Sequence, residues 1–160
     1  MSGTAISGFD SSGGTSGFTG LMQRAGTLKV ATNGPGCREI TREVAGWLSG
    51  AGAREGMAYL FIRHTSASLL IQENADADVQ KDLIDALRRI APEGTHYRHD
   101  CEGPDDMPAH IKAMVMPVSL AIPVLGGRMR LGTWQGIYVV EHRAKPHTRE
   151  VALQFTGSVD

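Results

Sequence analysis

VSLAIPVLGGRMRLGTWQGIYVVE, residues 118–141, decides the fold. Two extended runs, 118–124 and 129–141, flank Gly126-Gly127, a pair suited to a tight hairpin turn. Gly132 and Gly136 break the second run and mark a bulge or a close backbone approach, and Trp134 between them reads as a packing residue. A third extended run follows at 149–156. Strands consecutive in the chain pair most simply antiparallel, so this part of the chain predicts a curved, mostly antiparallel sheet.

Reading back from there, Pro108 suits the first turn of a short helix through about Met114, with Asp106 or Met107 near its cap. Residues 94–107 hold two histidines, several acids, Gly and Pro, and almost nothing to bury, which predicts a loop. Before the loop, Asp76 caps a longer helix whose apolar stripe is Val79, Leu83, Ala86, Leu87 and Ile90. Arg88-Arg89 complement its dipole, and Pro92 and Gly94 end it. Met57–Ile62 (MAYLFI) is continuously apolar and predicts a strand buried on both faces, resumed at Leu69-Leu70-Ile71 after His64-Thr65-Ser66. Ile40, Val44, Trp47 and Leu48 recur at helical spacing up to Gly50, behind the turn signal Asn33-Gly34-Pro35-Gly36. Residues 27–32 suggest a first strand. The fold class is therefore α+β: a curved, mostly antiparallel β-sheet with a sandwich-like core, two main helices and a short third.

The chain has 160 residues, enough for one domain with a real core. Fourteen of the first twenty residues are Gly, Ser or Thr, so residues 1–25 read as a flexible tail and 26–160 as a single domain. Sixteen Lys/Arg against seventeen Asp/Glu give a net charge of -1, which disfavours a nucleic-acid partner. No apolar run is long enough to span a membrane. Cys37 and Cys101 are far apart with no metal-finger spacing, and no secretory leader is visible, so the expected location is cytoplasmic.

The candidate chemistry lies in the histidines and in the charge distribution. His64 follows a buried strand and precedes Thr65 and Ser66, whose hydroxyls suit backbone or phosphate oxygens. His99 lies in the acidic loop, and His110 in the first turn of the short helix. Three neutral imidazoles, His64, His99 and His110, would make an open transition-metal site if they converge. Residues 76–106 hold nine acids and four bases, whereas 128–149 hold five bases and one acid, Glu141. Those surfaces either pair with each other or divide the work, the basic wall holding an anion and the acidic loop a metal. Glu73 ends an apolar strand, where an ionised carboxylate needs a partner; it is a general base, a ligand or an arginine's partner.

HTSASLLIQENAD (64–76), YRHDCEGPDDMPAHIK (97–112) and GRMRLGTWQGIYVVEHR (127–143) together resemble the YjbQ family, over about residues 27–156. The resemblance implies a compact α+β subunit assembling as a homotrimer, with the motifs near subunit boundaries. It also implies a secondary thiamine-phosphate synthase that joins hydroxymethylpyrimidine diphosphate to a thiazole phosphate and releases pyrophosphate. On residue chemistry, His64, His99 and His110 would hold a divalent metal, Zn or Mg, or a phosphate. Glu73 or Glu141 would orient the pyrimidine amine, with His64 also catalytic, and Thr65, Ser66, Arg143 and Arg149 would bind phosphate. The other readings are a metal-dependent hydrolase of small phosphate or other polar esters, and a non-enzymatic trimeric metal- or anion-binding protein.

Overall fold

The computed structural model describes residues 20–160, so residues 1–19 of the expected tail lie outside the described residues. Residues 22–25, expected within that tail, instead belong to β1, which spans Met22–Asn33 and is paired from its first residue. The chain continues through β2 (Gly36–Glu39), α1 (Thr41–Gly50), β3 (Ala53–Ile62), β4 (Ala67–Glu73), α2 (Ala77–Ile90) and α3 (Asp106–Val115). It closes with β5 (Ser119–Leu125), β6 (Arg128–Met129), β7 (Gln135–Glu141) and β8 (Pro146–Val159). The class is α+β, as expected.

Every strand pairing is antiparallel, in a five-stranded sheet of order β1-β8-β3-β5-β6 and a three-stranded sheet of order β2-β7-β4. The expected strand 129–141 is split between the two. Residues 132–135 form a turn, with Gln135 N–H donating to the Gly132 carbonyl at 3.0 Å and Gly132 N–H to the Gln135 side chain at 2.8 Å. That turn carries the chain from one sheet to the other, so consecutive strands β6, β7 and β8 do not pair with one another. β2 starts on Gly36, the last residue of the turn signal, and runs through residues 37–39, for which the sequence predicts no strand; its partner is the distant β7.

One core lies between these layers. Leu60, Ile62, Leu69, Ile122, Ile137, Val139, Val151 and Phe155 from the strands meet Ile40, Val44 and Leu48 beside and on α1. α2 covers the three-stranded sheet through Ile84, against Tyr138 and Val140. Asp76 caps it by accepting from Asp78 N–H at 2.8 Å. Ile90, expected in its buried stripe, is instead 58% exposed. β3 also departs from expectation: Ala58, Leu60 and Ile62 are buried, while Tyr59 and Phe61 face outward. The five-stranded sheet is covered on one face only, so the pleat sends alternate side chains to solvent despite the apolar run.

A bulge near Ala53–Glu55 brings Gly56 against Gly157. A Cβ on Gly56 would sit 2.1 Å from the Thr156 carbonyl oxygen, so only glycine allows the strands to approach there. No helix among the described residues is long and apolar enough to cross a membrane. For the site, the decisive pairing is Ala67 with Glu141, because it sets residues 64–66, just before β4, beside residues 142–149, just after β7.

Candidate functional site

α3 supplies the first half of the site. Asp106 begins this helix and His110 lies one turn further, so the i,i+4 spacing stacks their side chains on one face. His99 approaches from the loop before the helix. Its Nε2 lies 2.8 Å from Asp106 Oδ2, and His110 Nε2 lies 3.4 Å from the same oxygen. The two imidazole centroids are 5.6 Å apart. One donor atom from each of His99, Asp106 and His110 lies within 4.8 Å of the others.

The surroundings fix this triad. His110 Nδ1 is 3.0 Å from the Thr65 carbonyl, which can only accept, so Nδ1 carries the proton. In the neutral ring Nε2 then presents a lone pair to the Asp106 carboxylate. A cation placed between these two acceptors would satisfy both. The orientation of a ligating histidine by a backbone carbonyl is a common second-layer arrangement at metal centres. Asp106 is 2% exposed, against 41% and 33% for the His99 and His110 side chains, so any further coordination positions face solvent. Two imidazoles and one carboxylate with an open side fit a divalent transition-metal ion. A cavity of about 470 Å³ opens beside His99, lined by Thr95, His96, Tyr97, Asp100 and Met107 among others.

Arg143 backs the triad. Its guanidinium donates to Asp106 Oδ1, to Asp105 Oδ2 at 3.0 Å and to the Glu102 carbonyl at 2.9 Å. Burial raises the Asp105 carboxyl, but the Ala144 N–H and Arg143 outweigh it and leave the group below its ordinary range. Two carboxylates share one guanidinium, and that excess of negative charge suits a cation.

The second half lies where β7 and β8 meet residues 64–66. Glu141 and Arg149 are both buried and form a two-pronged pair, with Arg149 Nε 2.7 Å from Glu141 Oε2 and Nη2 reaching Oε1. Glu141 also accepts from the Thr32 hydroxyl at 2.6 Å and from the His142 and Arg143 N–H groups at 3.0 and 2.9 Å. Burial pushes its carboxyl up, and the Arg149, Thr32 and backbone donors more than reverse that. Ser66 accepts from Arg149 Nη2 at 3.2 Å through its hydroxyl. His64 Nε2 accepts the Glu150 N–H at 2.7 Å. Burial first, then Arg149, lowers the His64 pKa and keeps the ring neutral, against the smaller pull of Glu150 and Glu141.

The sequence-derived candidates therefore divide between two centres. His99 and His110 meet, and the third donor beside them is Asp106, read from sequence only as a cap. His64 belongs to the Arg149 centre rather than to the triad. Thr65 joins the centres, since its carbonyl holds His110 while its neighbours His64 and Ser66 face Arg149. Arg143 and Arg149 are each engaged by carboxylates. Glu73 is remote: it pairs with Gln135 at the opposite end of β4 from Ala67, about 20 Å away at strand rise. Its carbonyl accepts from Gln80 and Tyr138. The Asp106/His110 spacing was the available signal for the missed donor.

Residues 26–158 match the protein family described as UPF0047 protein YjbQ-like. The chain belongs to the YjbQ family. It is 44% identical over 140 residues to a UPF0047 protein of Synechocystis, covering 87% of this chain and 95% of that one. It is 42% identical over 132 residues to UPF0047 protein YjbQ of Salmonella typhimurium, covering 82% and 96%. A YjbQ/UPF0047-family crystal structure from Clostridium acetobutylicum superposes with a TM-score of 0.73 at 37% identity, covering 82% and 98%. A YbjQ-like protein of unknown function from Sulfolobus solfataricus, at 19% identity and a TM-score of 0.80 over 87% of this chain and 100% of that one, shares the fold.

Proposed function

We propose that this YjbQ-family chain is a metal-dependent enzyme acting on a small phosphorylated substrate. One observation carries the reading: His99, Asp106 and His110 converge with the His110 tautomer fixed by a backbone carbonyl. The reaction assigned to it is the synthase chemistry that the family resemblance implies. The C–O bond of hydroxymethylpyrimidine diphosphate breaks, pyrophosphate leaves with the electron pair, and the thiazole nitrogen lone pair forms the new C–N bond. When bound, a divalent ion such as Zn or Mg supplies positive charge that offsets the charge developing on departing phosphate oxygens.

The chain's own residues have simpler tasks. Thr65 holds the His110 ring in place. Arg143 fixes both acidic side chains from behind, so Asp106 stays oriented without competing for solvent. The cavity beside His99, with Tyr97 on its wall, offers room for a heterocycle. Catalysis of this kind is positioning and charge stabilisation rather than covalent chemistry.

A second reading, hydrolysis of a phosphate ester, is favoured by the engagement of Arg143 with two carboxylates, which commits that fork before a diphosphate arrives. The test uses chelator-treated protein reloaded with Zn or Mg and supplied with both thiamine precursors. Pyrophosphate release that requires both precursors and the metal, and falls by about 10–100-fold in Asp106→Asn and His110→Ala, supports the synthase. Release from the diphosphate alone supports the hydrolase. Metal binding without turnover of either substrate overturns both and leaves the non-enzymatic reading. The homotrimer belongs to the same proposal, supported by Tyr59 on the uncovered sheet face; a solution mass three times 17.1 kDa is expected.

A further inference from the structure

We infer that the cavity bounded by Phe61, Arg63, His64, Val118 and Arg149 binds the oxyanion of an organic phosphate between His64 Nδ1 and Arg149 Nη1. The cavity has a volume of about 560 Å³, within the range of small-molecule pockets. A mismatched contact lies at its back wall. His64 Nε2 accepts the Glu150 N–H at 2.7 Å, and that bond needs the Nε2 lone pair. A neutral imidazole carries its one proton on the other nitrogen, so Nδ1 is a donor. Arg149 Nη1 can only donate, and it lies 3.4 Å from Nδ1. Two donors therefore face each other at the cavity wall.

The rest of Arg149 does not relieve this. Nε and Nη2 are taken by Glu141 and Ser66, leaving Nη1 aimed at the ring. An oxygen anion at the mouth would accept from both groups at once. The nearby carboxylates do not occupy that place: Glu141 is committed to Arg149 and Thr32, and Glu150 Oε2 is drawn to Arg63 at 3.2 Å. Arg63 lines the rim, paired with Glu150. Phe61, 50% exposed, and Val118 supply an apolar wall for the organic part of the ligand. This centre mirrors the triad on the other side of Thr65, where a cation would satisfy two facing acceptors.

The inference goes beyond the metal reading because binding here requires no ion. Chelator-treated, 15N-labelled protein is titrated with inorganic phosphate, then with phenyl phosphate, at constant ionic strength made up with chloride. The His64 ring nitrogens should shift saturably while the His99 and His110 rings stay unmoved, with phenyl phosphate binding more tightly than phosphate through the Phe61 wall. His64→Phe, which removes the Nδ1 donor, should weaken binding by about tenfold or more. Because the titration uses the unaltered chain, it stands even where that variant folds poorly. His64 resonances that respond no more to phosphate than to chloride overturn the inference, as does a shift confined to His99 and His110. Either outcome leaves the metal test unaffected, and loss of metal binding in Asp106→Asn leaves this one unaffected.

Discussion

Lowering the pH from 7 to 5 should cost this fold about 2 kcal/mol through His142 alone. This ring is 2% exposed at the end of β7, with Nε2 2.8 Å from the buried Ser68 hydroxyl. Burial is the main cause and the Lys112 ammonium the second, with Arg149 also opposing and Glu141 favouring a charge; together they lower the His142 pKa to about 4. An unfolded chain would protonate it near 6.5. The folded pKa is the lower one, so between these values the unfolded state binds more protons and stability falls as pH falls. The loss is small at pH 7, about 2 kcal/mol at pH 5, and complete below pH 4. Stopping at pH 5 avoids most carboxylate titration, including that of Glu141. Urea midpoints at pH 7 and pH 5, at fixed protein concentration, measure the effect. His142→Gln keeps a hydrogen-bonding partner for Ser68 and removes the titration, so its midpoint should change less by the same amount. An equal pH dependence in the two proteins would refute the assignment.

Three other outcomes follow from single contacts. Glu141→Gln leaves the buried Arg149 charge without its carboxylate and should destabilise the fold by about 3–5 kcal/mol, read from urea midpoints. Gly56→Ala forces a Cβ onto the Thr156 carbonyl, and thermal unfolding should register a loss of at least about 1–3 kcal/mol. Asp76→Ala removes the cap of α2 and should lower stability by about 1 kcal/mol, with amide exchange accelerated first at the start of that helix.

What the sequence discloses depends on how local the cause is. α2 is legible because its cap, its apolar positions and its terminal arginines all lie within the helix. β2 is hidden because a four-residue strand beside Pro35 has nothing to announce it; only its partner β7, about a hundred residues away, makes it a strand. The alternation of β3 is masked for a related reason, since Tyr59 and Phe61 look like core residues until one knows that no layer covers their face. At the site, His99 and His110 stand out by residue type and place. Asp106 is obscured because an acid at a helix start has an ordinary explanation as a cap. The bond from Glu150 N–H to His64 depends on where β8 runs beside β3, which no local pattern specifies.

The five-stranded sheet places β8 between β1 and β3, and this has a consequence for how the protein is made. β1 pairs with β8 across separations from Asn33–Pro146 to Met22–Gly157, the longest available among the described strands. As the chain leaves the ribosome, β1 and β3 therefore wait with open edges until the final described strand inserts between them and zips both ladders. Such late, long-range closure makes for slow folding and leaves the nascent chain dependent on protection from aggregation. A stall during synthesis before Pro146 would release a chain lacking the strand that holds its sheet together.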